Sequence, residues 1–537
     1  MKKLKKISLA LFIILLIISV GKVFAAEVHF KEYSEEFKEY LQLSDEEKSK
    51  RLMPRMYDIE GYTINYINPI KYALNVTDTL ASKYSLLDYI PENIVIRNQL
   101  NTNSCWAFGG LSSLETTLAL SNYYNNKPTQ IYDYSERHVV YATSKNFANG
   151  VINPHTFNKQ PSTGGNQYIL EAYLTSGIGA IDEAEMPFEN NENLINISEI
   201  QNKTVTSQIF DSDQFESSNT VANRNRVKQH IKNYGAVAVG IHGANPYESN
   251  YYNNSTGAIY CNDSTKAPVN HMVSIVGWDD NYSRTNFNSN CRPSSNGAWI
   301  IRNSWGTVLG NKGFMYLSYE DVNFGQMLYG IIKASDTVDY NNVYQYNYTG
   351  ANGYLTVTTD TNKIYMATVF NKNTTSTEYI KRIGTWASEP CKCRVYVNLN
   401  GSGMSNSDLQ LVQLKEGNYE TLDTVGYHTL ELQQPLKINS SSFVVVLEIT
   451  PLSGSNQFTV PIEAPMAGTW FSDVEISNNN FYTGNLNSTW KVVSDENNVN
   501  LTTKVFTSNS LVDNSLKDIQ IQTPPTKTTY YEGENFD

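Results

Sequence analysis

Gln99-Leu100-Asn101-Thr102-Asn103-Ser104-Cys105-Trp106-Ala107-Phe108 changes character at its seventh residue. Up to Ser104 it is rich in small polar residues of the kind that populate loops. From Cys105 onward, Phe108, Leu111, Leu114 and Leu118 recur at helical spacing. The pattern predicts a loop running into a helix, with Cys105 at the helix N-terminus. That position favours negative charge, which lowers a thiol pKa and populates the nucleophilic thiolate. A lone cysteine is more often a small buried hydrophobe, so the reading depends on what else the chain supplies.

A thiolate that attacks an acyl group needs a base, a group to orient that base, and a donor for the developing oxyanion. His271 stands in Val269-Asn270-His271-Met272-Val273-Ser274-Ile275-Val276-Gly277-Trp278, ahead of an apolar run that reads as a buried strand. Asn303 follows a second apolar run in Trp299-Ile300-Ile301-Arg302-Asn303-Ser304-Trp305-Gly306. Its side-chain oxygen can accept the imidazole N–H. Gln99 carries a side-chain amide that can serve as the oxyanion donor.

The order Cys, His, Asn with these flanks resembles the papain family of cysteine peptidases over roughly residues 81–335. Cys105-Trp106-Ala107-Phe108 is similar to the family's nucleophile motif, and Gln99 to its oxyanion glutamine. Asn270-His271 matches the histidine motif. Asn303-Ser304-Trp305-Gly306 matches the asparagine motif, in which Trp305 covers the Asn–His hydrogen bond. Gly164-Gly165-Asn166 resembles the backbone strip that pairs with an extended substrate; Tyr134-Ser135-Glu136 and Gly313-Phe314 fit further landmarks. The resemblance implies an α+β, two-lobed peptidase domain with Cys105, His271, Asn303 and Gln99 catalytic. It places Gly164, Gly165, Asn270 and Trp305 at the substrate, with no cofactor required for catalysis.

The chain also departs from the family. Asn101-Thr102-Asn103-Ser104 replaces the usual Cys-Gly-Ser, so that customary disulfide is absent. The His271–Asn303 spacing leaves a polar stretch, residues 279–297, that reads as an enlarged surface loop. Its Asp279, Asp280, Asn281, Asn288 and Asn290 do not meet the spacing of an EF-hand calcium loop. Of the five cysteines, Cys261 and Cys291 flank one segment and can pair, while Cys391 and Cys393 are too close in sequence to bridge comfortably. An odd count leaves at least one free thiol.

The 537 residues leave room for roughly three or four domains, and 40% hydrophobic composition supports a sizeable core. Residues 1–25 read as a removable signal: basic Lys2-Lys3-Leu4-Lys5-Lys6, an apolar stretch too short to span a bilayer, and small residues near Ala25. Discounting the five lysines in that segment takes the net charge from −12 to −17, a poor match for nucleic acid or anionic membrane. No transmembrane anchor is expected in the mature chain. By resemblance, residues 26–80 are a propeptide covering the cleft, with a helical stretch at 35–51 whose thin apolar face holds Phe37, Tyr40, Leu41 and Leu43. The mature start then falls near residues 81–88.

Beyond residue 335, short alternating runs such as Arg394-Val395-Tyr396-Val397-Asn398-Leu399 and Phe443-Val444-Val445-Val446-Leu447 are separated by turns such as Asn400-Gly401-Ser402-Gly403. They predict an all-β sandwich over 340–510, similar to the lectin-like domain of bacterial surface proteases. Related domains can bind calcium, but no metal ligand is assigned. Trp386, Trp470 and Trp490 can stack on sugars or fill the sandwich core. Residues 511–537 read as a Pro-containing linker leading toward a further immunoglobulin-like module. The chain is thus expected to be a secreted or cell-surface bacterial cysteine endopeptidase made as a proenzyme, acting on protein or peptide, with a surface glycan as a possible partner. Two alternatives stay open: a glycan-binding protein on a peptidase-like scaffold, or a Cys-dependent acyl transferase.

Overall fold

A computed structural model describes residues 26–59, 80–243 and 249–511. The expected signal segment, most of the tail, and residues 60–79 at the end of the expected propeptide lie outside these. The first part of the chain contributes strand β1 (Glu27–Phe30), helices α1 (Glu35–Leu41), α2 (Cys105–Tyr124), α3 (Glu136–Ala142) and α4 (Gln167–Thr175), and strand β2 (Gln208–Gln214). Helix α5 (Val221–Asn233) and strands β3 (Val237–Ile241), β4 (His271–Asp279), β5 (Ala298–Arg302), β6 (Phe314–Ser318) and β7 (Leu328–Ser335) follow.

Helix α2 is the axis of the peptidase-like half. Leu111, Leu114 and Leu118 are buried, as their spacing predicts, but so are Ser113, Glu115, Thr116 and Thr117 on other faces. These polar side chains find partners inside. Thr116 and Thr117 hydroxyls donate back to the carbonyls of Ser112 and Ser113, and Ser113 and Thr117 also bond the backbone of Ile331 in β7. Glu115 receives Arg97 at 2.7 Å and Arg302 at 3.4 Å, the pairing that makes a buried carboxylate tolerable. The helix comes close to β4 because Gly109 has no side chain: a Cβ there would stand 3.1 Å from Met272 Cγ. Strand β4 is buried along nearly its whole length, which is why it reads as a continuous apolar run rather than an alternating one. It lies antiparallel between β3 (Ile241↔His271) and β5 (Ser274↔Arg302).

The second half is built from β8 (Gly353–Thr358), β9 (Ile364–Asn371), β10 (Tyr379–Ala387), β11 (Cys391–Asn398), β12 (Gly426–Lys437), β13 (Ser442–Pro451), β14 (Gln457–Glu463), β15 (Asn480–Thr483) and β16 (Lys504–Ser508). Strands β11, β13, β9 and β15 lie in that order within one sheet. Alternation in β13 sends Phe443, Val445 and Leu447 into the main sandwich core and Val444 and Val446 to the opposite face. Cys391 and Cys393 belong to the core. The architecture is thus α+β followed by an all-β sandwich.

Two features of the arrangement were not legible beforehand. First, β2 of the peptidase-like half meets β12 of the sandwich at Asp211↔His428, so a 13-stranded sheet runs through both halves. Beside this seam Glu171 of α4 is buried, accepting bonds from Ser212, from Gln214 at 3.1 Å and from Trp386 Nε1 at 2.7 Å. Trp386 is therefore a buried joint between the halves and is closed to any sugar. Second, β1 pairs with β8, Glu27↔Thr358 through Phe30↔Leu355, so the N-terminal segment is a strand of the sandwich.

Candidate active site

Cys105 opens α2, His271 opens β4, and Asn303 follows the last residue of β5. Each group is thus carried by the end of a rigid, buried element. The Met272 backbone amide, one residue beyond His271, interacts with the Cys105 sulfur, so the head of α2 meets the start of β4. His271 Nε2–H donates to Asn303 Oδ1 at 2.8 Å. With its proton held there, a neutral imidazole presents Nδ1 as the free base. Trp305 stacks on the His271 ring at 4.5 Å and 21°, covering that bond. Asn303 is itself fixed, accepting from Ser304 N–H at 2.7 Å and donating to Met315 Sδ at 3.3 Å.

Gln99 is tied into the same cluster. Its N–H donates to the Ser304 carbonyl at 2.7 Å, and its Oε1 accepts from Ser304 Oγ at 2.7 Å. Nε2 donates one proton to Thr102 O at 2.8 Å; an amide nitrogen carries a second, which is the one available to an oxyanion.

Of the residues expected along the substrate, Gly165 falls beside Trp106 and Gly164 beside Asn103. Gly164 has φ +83°, in the left-handed region that suits glycine. At Gly165 a Cβ would lie 2.4 Å from Trp106 Cε2, so only glycine fits. Asn166 caps α4, its side chain accepting from Tyr168 and Ile169 N–H. The Asn270 side chain accepts from Gly243 N–H at 2.6 Å.

The N-terminal segment reaches both walls of this site. Leu52 N–H donates to the Val269 carbonyl at 2.9 Å, next to Asn270, and Asn166 Nδ2 reaches the Met53 carbonyl at 3.5 Å. Met53 and Met56 are buried in the same apolar cluster as Trp106. The Arg55 guanidinium, 3% exposed, donates to the carbonyls of Phe215 and Leu328.

This enclosure reverses the expected electrostatics. Burial pushes the Cys105 thiol up to about 11, although the backbone amides of Met272 and Trp106 pull the other way. Burial likewise pushes His271 down to about 4, against the bond to Asn303. The helix N-terminus is outweighed by desolvation, and the covered pair is neutral thiol and neutral imidazole. Because the thiol pKa is raised, thiolate forms only as pH climbs toward 11. Alkylation of Cys105 by iodoacetamide in the intact chain should therefore be slow at neutral pH and climb about tenfold per pH unit toward pH 11. A rate that is already maximal at pH 7 contradicts this.

Elsewhere, the loop over 279–297 is anchored by buried Phe287, and its Asp279 and Asp280 pair with Lys83 and Lys228. Cys261 and Cys291 stand as unpaired thiols; the Cys291 sulfur lies 3.5 Å from the carbonyl of Tyr260, the neighbour of Cys261. Among the described residues, no group of three or more His, Cys, Asp or Glu side chains converges as metal ligands. Among the described residues no helix is long and apolar enough to cross a membrane.

Comparison with known proteins fits this geometry. Residues 91–334 match the model of the papain family cysteine proteases, and residues 343–507 that of a lectin-like domain. A cysteine protease of Blomia tropicalis is 26% identical over 223 residues, covering 41% of this chain and 56% of that protein. Cysteine proteinase 1 of Entamoeba histolytica is 26% identical over 229 residues, covering 42% and 60%. The chain thus spans little more than half the length of these relatives. The solved cysteine protease and lectin-like domains of Cwp84, a surface layer associated protein of Clostridium difficile, superpose with TM-score 0.74 at 24% identity, covering 90% of this chain and 98% of that one. A second Cwp84 structure, determined after propeptide cleavage, gives TM-score 0.67 over 80% of this chain and 100% of that one. Residues 91–334 are accordingly a papain-family domain, and residues 343–507 a lectin-like domain joined to it.

Proposed function

We propose that the chain is a cysteine endopeptidase of the cell surface or the secreted fraction, made as a proenzyme. The observation that carries this is the His271–Asn303 bond under Trp305, with the Cys105 sulfur beside Met272 and Gln99 locked to Ser304. His271 Nδ1 takes the thiol proton as Cys105 attacks the scissile carbonyl, then returns it to the leaving amine. Asn303 holds the ring, so that the same nitrogen faces the sulfur throughout. The oxyanion is met by the Cys105 backbone N–H at the head of α2 and by the second Gln99 amide proton. Water then releases the acyl group. An extended peptide lies along Gly164 and Gly165, with Asn270 and Trp305 on the opposite wall. These steps use only side chains and backbone amides of the chain.

Surface location draws on the likeness to Cwp84, and proenzyme status on the segment over residues 26–59 that spans the cleft. A glycan partner for the lectin-like domain is supported by one face: Tyr365, Tyr396, Phe481 and Trp490 cluster on the side of β13 opposite the core, and aromatic faces suit sugar rings. The reaction class is tested by mass spectrometry of a peptide incubated, with an added primary amine, with protein freed of residues 26–59. Hydrolysed products are expected; acylated or cross-linked amines as the main product would mark a transferase instead.

A further inference from the structure

The loop ahead of Cys105 is held from outside by groups that the chemistry above does not use. Asn103 N–H donates to Glu192 Oε1 at 2.8 Å, and Asn103 Nδ2 donates to the Ser162 carbonyl at 2.8 Å. Asn101 N–H donates to Asn190 Oδ1 at 3.2 Å. The bracing loop is itself fastened to α3: the Tyr141 hydroxyl donates to the carbonyls of Asn191 and Asn193 at 3.1 and 2.7 Å. On Trp106, next to the nucleophile, the Lys159 ammonium sits 5.5 Å from the ring centroid. Lys159 is 3% exposed, donates to Ser144 Oγ at 3.3 Å and feels the charge of Glu192. Burial pulls the Lys159 pKa down to about 7, and the tryptophan face and the charge of Glu192, the carboxylate that also holds Asn103, work against that loss of charge.

We infer that Asn103, Glu192 and Lys159 are positioning residues, forming a noncovalent bracket that fixes residues 99–104 and Trp106 against the Gly164–Gly165 strip. Two anchors of the acyl-transfer geometry lie on this loop, Gln99 at its start and Cys105 at its end. The strip that aligns the substrate begins two residues beyond Ser162. Tying Asn103 to Ser162 therefore ties nucleophile to substrate register directly. No cysteine stands in residues 99–104, so the tie consists wholly of hydrogen bonds and charge. Small displacements at such a site are costly, up to roughly a hundredfold per ångström.

The inference rests on Cys105 being the nucleophile, and its test separates the two. Asn103→Ala, Glu192→Gln, Lys159→Met, Lys159→Arg and Cys105→Ala are compared in protein freed of residues 26–59. The readouts are kcat and KM on a peptide and the rate of labelling by an epoxysuccinyl thiol inhibitor. Asn103→Ala and Glu192→Gln should each lower kcat and labelling on the order of tenfold with KM changed less than about twofold, and Lys159→Arg should regain most of what Lys159→Met loses. If Lys159→Met fails to fold, the other two decide, since Asn103 is exposed and Glu192 half-buried. Wild-type kcat and labelling in both, or a loss confined to KM, overturns the bracket while an inactive Cys105→Ala leaves the nucleophile standing. An active Cys105→Ala overturns both.

Discussion

Cys105→Ala is expected to fold and to lose peptide hydrolysis by at least about four orders of magnitude in kcat, the scale seen when a catalytic nucleophile is removed. The substitution takes one sulfur atom from the head of a helix that is buried on every side, a change expected to cost on the order of 1 kcal/mol of stability. The α2–β4 contact at Gly109 and the Arg97–Glu115–Arg302 cluster are untouched by it. The loss therefore reads chemistry rather than unfolding. Labelling by an epoxysuccinyl inhibitor should vanish with it, even though Cys261, Cys291, Cys391 and Cys393 remain, because these lie outside residues 26–59 and their cover, buried in the fold itself with raised thiol pKa. Circular dichroism and turnover of a peptide substrate decide the matter. Persisting hydrolysis in a folded Cys105→Ala protein would remove Cys105 from the mechanism.

The groups of this site could be found in the sequence because each sits where a strong pattern starts or stops. Cys105 precedes a helical repeat, His271 precedes a buried strand, and Asn303 ends another. Local chemistry in these places agrees with the fold. What could not be read depends on contacts between distant positions. Asn103 and Glu192 are 89 residues apart, and nothing in the composition of either neighbourhood marks the pairing. Trp386 has the look of a sugar-stacking residue in a polar, aromatic-rich chain; its Nε1 proton instead finds Glu171, and the pair seals the seam between the halves. The charge state of Cys105 in the covered site escapes the sequence for a related reason. A helix N-terminus is visible in a sequence, but the degree of burial that outweighs it is a property of the assembled core and of the segment laid over it. That segment was expected over the cleft, whereas its anchorage in the sandwich was not, since Glu27–Phe30 gives only four residues of alternation to read.

The anchorage leads to the second large effect. In the intact chain, thiol labelling should be slow, and cutting between residues 60 and 79 should not by itself speed it. Residues 26–59 are held at three separate places. Strand β1 pairs with β8 and Tyr57 packs on Tyr354 at 4.8 Å, both on the sandwich. Phe37 and Tyr40 are buried in the cluster that also holds Trp106. Arg55 is sunk between Phe215 and Leu328, and Ser34 grips the chain there by donating from Oγ to the Arg55 carbonyl and from N–H to the Met56 carbonyl, each at 2.8 Å. A nick removes none of these contacts, so the fragment should stay bound and the thiol should stay neutral. Hydrogen bonds from a charged group contribute about 1.5–3 kcal/mol. Arg55→Ala should therefore weaken the covered state and raise the labelling rate of the intact chain roughly ten- to a hundredfold. Separating residues 26–59 from a nicked sample on a column in mild denaturant, then returning to buffer, should raise it further. The measurement is the second-order labelling rate in four samples: intact, nicked, nicked and separated, and Arg55→Ala. If the intact and the separated proteins are labelled equally fast, the segment does not guard the site. If nicking alone restores full reactivity, the covalent link and not the three-point anchorage is what holds it closed.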